Sequence, residues 1–86
     1  MLTEQEVRGE IRRLVAEVTE LEQEEIRDDA NYQEDLDMDS LMAMEVMVAV
    51  DKKFRIEVPE EEFLALENID QTVDVVLKHL QASKAS

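Results

Sequence analysis

The chain has no cysteine among its 86 residues. That excludes a disulfide framework, a thiolate metal site and a cysteine nucleophile. Glycine and proline occur once each, and aromatic residues make up 3% of the chain. So few turn formers and so few β-forming aromatics favour helices over a β fold. No apolar run is long enough to span a bilayer, and no charged-then-apolar leader opens the chain. A cytoplasmic location is therefore the default expectation. Basic residues are scarce: nine Lys and Arg stand against 23 Asp and Glu, for a net charge of -14. A surface of that sign repels nucleic acid and anionic membranes and favours basic protein partners. Acidity alone would suit a disordered chain. The 44% of apolar residues, regularly spaced, predicts a folded helical bundle instead. At this length one domain over residues 1–86 is expected, as a monomer of modest stability.

Thr3 and Glu6 have the spacing of a capping box. The apolar positions Val7, Ile11, Leu14, Val15, Val18 and Leu21 follow in steps of three and four, one stripe of an amphipathic helix. Gly9 interrupts it, on the solvent face or at a close approach. Arg8, Arg12 and Arg13 read as a solvated face pairing with nearby Glu. Residues 23–39 make a long connection, with Ile26, Tyr32 and Leu36 as its apolar anchors. A second helix spans about Ser40 to Phe54. Arg55-Ile56-Glu57-Val58 alternates like a strand but has no partner segment, so it reads as an extended loop burying Ile56 and Val58. Pro59 opens a short helix from Glu60 to about Leu66, with acids in its first turn. Asn68 ends it. Asp70 is the expected cap of a last helix carrying Val73, Val76, Leu77 and Leu80. A tail from about 82 is expected to fray. The fold class is all-α, a four-helix bundle with a short third helix and a long loop between helices 1 and 2.

The stretch that stands out is Glu34-Asp35-Leu36-Asp37-Met38-Asp39-Ser40-Leu41. Four carboxylates in six residues lead to one serine, and an apolar run begins directly after it. Asp or Ser before such a run marks a helix start. Ser40 is thus placed at a loop end with its hydroxyl in water, where first-turn N–H groups and the helix dipole favour an anion. A plain helix cap is the simpler alternative for the same residues. The second helix has two apolar faces. Ala43, Val46, Met47, Val50 and Phe54 form one; Leu41, Met44 and Val48 form the other. A bundle this small cannot cover both, so the face beginning at Leu41 is the expected meeting surface.

Other chemistry fits poorly. Asp35, Asp37 and Asp39 alternate like the start of an EF-hand, but Ser40 and Val46 stand where its Gly and bidentate Glu belong. No specific metal site is expected. His79, the only histidine, reads as structural near the end of the last helix, far in sequence from Ser40.

Taken together, Asp35-Leu36, Asp39-Ser40-Leu41, a helix ending at Phe54 and then Ile56-Glu57-Val58-Pro59 resemble the acyl carrier proteins, from about Val7 to Leu80. The resemblance implies a four-helix bundle that is not itself an enzyme. It implies 4′-phosphopantetheine, taken from coenzyme A by a phosphopantetheinyl transferase and attached to Ser40, with Asp39 assisting. It also implies acyl groups carried as thioesters in fatty acid, lipid or polyketide-type biosynthesis. Leu41, Met44, Glu45 and Val48 match the partner-facing side of helix 2. They would meet acyl-transfer or condensing enzymes with basic or apolar docking surfaces. Val46, Val50, Leu66 and Ile69 match the lining of an acyl pocket between helices 2 and 3. Departures are Asp37 where the family often has Gly, Met42 where many members have an acid, Lys52 and Lys53 within an acidic run, and the bulk of Phe63 and Leu64. They suggest a specialised carrier. The competing reading is an unmodified acidic helical adaptor that binds a basic partner through helix 2.

Overall fold

Thr3 accepts from the Glu6 N–H, and the Glu6 carboxylate accepts from the Thr3 N–H. This reciprocal box starts α1, Glu4–Thr19. The computed structural model describes residues 2–85, with side chains as far as Ala82. After α1 come a single 3₁₀ turn at Gln23–Glu25, then α2 (Ser40–Phe54), α3 (Glu60–Leu64) and α4 (Ile69–Ala85). No strand occurs among the described residues. The expected all-α bundle with a short third helix is therefore what the chain forms.

Val7, Ile11 and Val15 of α1, Val46 and Val50 of α2 and Ile69, Val73 and Val76 of α4 have no exposed surface. These are the stripes that face one another at the centre. The connection is tied down by Ile26, Tyr32 and Leu36 as expected, and also by Met38. Ile56 and Val58 are buried in the extended segment between α2 and α3.

Several local expectations need correction. α1 ends at Thr19, not near Leu21, because Glu20 turns left-handed (φ 60°); Leu21 packs against the core from outside the helix. α3 stops at Leu64 rather than Leu66. Asn68, not Asp70, caps α4: its side-chain oxygen accepts from the Gln71 N–H at 2.9 Å. Asp70 instead binds Arg8. Arg8 and Arg12 also pair with Asp28 in the connection, so α1 holds the connection and α4 by charge. Arg13 behaves as the solvated-face reading expected, pairing with Glu10 and Glu17, and Arg8 does so in part, reaching Glu4 at 3.5 Å. The Arg13 guanidinium holds the Glu10 carboxyl below the usual range. α4 continues to Ala85 where a tail from about 82 was expected to fray, and Ser86 lies outside the described residues. His79 is therefore not in the last turn. Its Nε2 lies 2.9 Å from Glu62 Oε1, joining α4 to α3.

Gly9 is exposed, and a Cβ placed there meets nothing within 4 Å. Its cost in α1 is purely conformational. Gly9→Ala is expected to stabilise the domain by about 0.5–1 kcal/mol in urea melts. No gain would mean that the glycine serves a contact absent from the isolated chain.

Candidate functional site

The approach to α2 is built from polar locks. Asn31 Oδ1 accepts from the Gln33 and Glu34 N–H groups, and Asp35 Oδ2 accepts from the Asn31 N–H. Tyr32 donates its N–H to the Glu67 carbonyl at 2.8 Å and accepts from the Met38 N–H at 2.9 Å. The loop is thereby fastened to the α3–α4 connection. Asp37 is left-handed (φ 54°). Only Gly enters that region freely, although Asp and Asn tolerate it better than other residues. The departure noted at Asp37 thus keeps the backbone shape that a glycine would favour.

Asp39 is the cap of α2. Its Oδ1 accepts from the Met42 N–H at 2.8 Å and its carbonyl accepts from the Ala43 N–H at 2.9 Å. This settles which of Asp39 and Ser40 does the capping. Ser40 is the first helical residue, exposed, and its hydroxyl has no capping duty. The Ser40 and Leu41 N–H groups precede the first intrahelical bond and face outward at the positive end of the helix dipole. Ser40 is exposed at this positive end, where an anionic phosphodiester is favoured. The residues present therefore fit a phosphopantetheine arm.

Beyond Ser40 the exposed face of α2 carries Leu41, 70% exposed, and Val48, 54% exposed, with Glu45 exposed and Met44 half-buried between them. No loop of the described residues covers this face. Met42 turns the other way and packs against the core, so it is not part of the stripe. Lys52 lies exposed at the far end.

A cleft of about 120 Å³ opens beside Ser40. Asp39, Ser40 and Ala43 form one side, Tyr32, Gln33 and Met38 another, and Phe63, Leu64 and Leu66 the third. Of the four residues expected to line an acyl pocket, Leu66 does so. Val46, Val50 and Ile69 have no exposed surface and lie in the core. Gln33 and Met38 were not legible as cleft residues, although an isolated large apolar side chain between Asp37 and Asp39 is a signal that Met38 turns inward. A larger hollow of about 540 Å³ sits at the other end of α2, lined by Arg55, Ile56, Glu57, His79 and Ala82. It is remote from Ser40, roughly 20 Å along the helix. Among the described residues no group of acids and histidine is arranged to hold a metal ion, and no helix is long and apolar enough to cross a membrane.

One wall of the cleft is pinned. Thr72 is fully buried and donates its hydroxyl to the Asn68 carbonyl at 2.9 Å. A threonine has one hydroxyl proton, so the Tyr32 hydroxyl is the donor in its 2.7 Å bond to Thr72. Burial pushes the Tyr32 phenol up to about 12 from 10.0. The folded chain then keeps this proton between pH 10 and 12 while the unfolded chain loses it. Stability from this group is whole below pH 10 and falls through that window, by roughly 2–3 kcal/mol in total. Tyr32→Phe should flatten that part of the alkaline profile in urea melts. An equally steep loss in the variant would assign it to other groups.

An all-α bundle that offers one uncommitted serine at a helix start, beside a small cleft and a bare apolar stripe, has the architecture of a carrier domain. The chain belongs to the acyl carrier protein family: the phosphopantetheine attachment site family matches residues 9–76. It is 37% identical over 71 residues to "Polyketide-8 synthase acyl carrier protein 2" of Streptomyces avermitilis, covering 83% of this chain and 82% of that one. It is 33% identical to an acyl carrier protein of Rhodococcus erythropolis, covering 88% and 84%. It is 32% identical to "Acyl carrier protein 2, mitochondrial" of Arabidopsis thaliana, covering 94% and 64%. The family's cofactor is 4′-phosphopantetheine.

Proposed function

We propose that Ser40 is the attachment point of the arm and that the chain carries acyl groups on it without catalysing a reaction itself. The observation that carries this reading is the division of labour at the start of α2. Asp39 makes the cap, leaving Ser40 exposed and unengaged. A phosphopantetheinyl transferase would join Ser40 Oγ to the phosphorus of coenzyme A, break the pyrophosphate bond and release adenosine 3′,5′-bisphosphate. The Ser40 proton goes to a base of the transferase, with Asp39 assisting. When bound, the arm supplies a thiol that holds the cargo as a thioester. The protein supplies attachment, shelter and recognition.

Leu41, Met44, Glu45 and Val48 form the proposed docking strip, bounded by acids at the Ser40 end and by Lys52 at the other. Such a strip suits a partner with basic groups beside its active-site entrance and an apolar groove beyond. Similarity to a polyketide synthase carrier supports work in a polyketide-type or fatty acid route. A cytoplasmic monomer is part of this reading, and one relative is named as mitochondrial. The test is to incubate the chain with coenzyme A and a promiscuous transferase and to weigh it intact. One added arm is the expected result. No added mass would leave the acidic adaptor as the better account.

A further inference from the structure

The cleft beside Ser40 is small, and its Tyr32 wall is pinned. Its volume of about 120 Å³ is on the order of a cavity that takes one benzene-sized guest, ~150 Å³. Ala43 borders it. One and two turns further along that face of α2, Val46 and Val50 have no exposed surface. Phe63, on the opposite wall, is itself buried in the core. A longer guest would have to push these side chains out of close packing, where even one extra methylene is felt.

Many apolar clefts could widen by swinging a loop. This one is held by Tyr32, whose hydroxyl bonds to buried Thr72 at 2.7 Å and whose N–H bonds to the Glu67 carbonyl at 2.8 Å. Moving that wall would strand buried polar groups.

We propose that this carrier selects a short acyl cargo, of about six carbons or fewer, and that Phe63 and the Tyr32–Thr72 bond set the limit. The inference rests on the carrier reading, since the cargo must hang from Ser40. Methylenes beyond the limit stay in water and add nothing to the fold.

The experiment loads the chain with butyryl, hexanoyl, octanoyl and dodecanoyl arms from the matching acyl-coenzyme A, using a promiscuous transferase. Each product is weighed and then melted. The melting temperature should climb by about 3–6 °C per buried methylene as far as hexanoyl, then level off. In Phe63→Leu the climb should extend to octanoyl or beyond. A continued climb to dodecanoyl in the parent overturns the size limit, as does a flat profile at every length. An unchanged profile in Phe63→Leu removes Phe63 from the mechanism. A chain that takes up no arm at all defeats the carrier reading itself, whereas a loaded chain with the wrong profile defeats only the limit.

Discussion

Ser40→Ala should abolish loading of the chain completely while leaving its fold and stability almost untouched. Two observations combine in that expectation. The serine hydroxyl is exposed at the first position of α2, so its loss creates no cavity and no unpaired buried group. The cap bond to the Met42 N–H comes from Asp39, so the helix start survives. The change in stability should lie within about 0.5 kcal/mol, as for other surface substitutions. Asp39→Ala makes the contrast. Removing a cap costs about 0.5–2 kcal/mol, and loading should slow as well as the fold weaken. Intact mass after incubation with coenzyme A and a transferase reads the first effect; urea melts read the second. An adduct on the Ser40→Ala chain would place the arm elsewhere. A loss of about 1 kcal/mol in Ser40→Ala, with none in Asp39→Ala, would return Ser40 to the role of a helix cap.

What the sequence could show depended on how far apart the partners lie. Thr3 and Glu6 are three residues apart, and their box was legible. So were the stripe of α1, the two faces of α2 and the loop anchors Ile26, Tyr32 and Leu36, because each is a local pattern of apolar spacing. The contacts that were missed are long-range. Arg8 meets Asp70 across 62 residues and Tyr32 meets Thr72 across 40. No local pattern marks such pairs. Arg8 and Arg12 could satisfy nearby Glu equally well, and only the packing of α1 against the connection and α4 selects Asp28 and Asp70. Asn68 and Asp70 are both good cap residues; the choice was decided by where the chain leaves α3. The exposed helix start at Ser40, the candidate site, was legible because a cap residue, a serine and an apolar run occur in sequence. Its cleft was not, because Gln33, Met38 and Phe63 are brought together only by the locked loop.

The position of Ile69 separates a core from a pocket, and Ile69→Ala should have the largest effect on stability. The family resemblance placed Ile69, with Val46 and Val50, in the wall of an acyl pocket. In the fold all three have no exposed surface, and Leu66 is the member of that set at the cleft. A wall that is empty before cargo arrives can be trimmed at little cost, because its side chains already lack neighbours on one side. A filled core cannot. Ile69→Ala in the unloaded chain should therefore cost about 2–5 kcal/mol. That is a large share of the roughly 5–15 kcal/mol expected of a domain, and it should lower the melting temperature by roughly 10–30 °C. Leu66→Ala, at a half-buried position, should cost clearly less. Urea melts of the two unloaded variants decide the matter, provided that the slope with denaturant stays that of the parent. If Ile69→Ala loses less than about 1 kcal/mol when unloaded, yet removes the stabilisation that a loaded acyl chain confers, then Ile69 lines the pocket and the cleft reaches deeper than its unloaded shape.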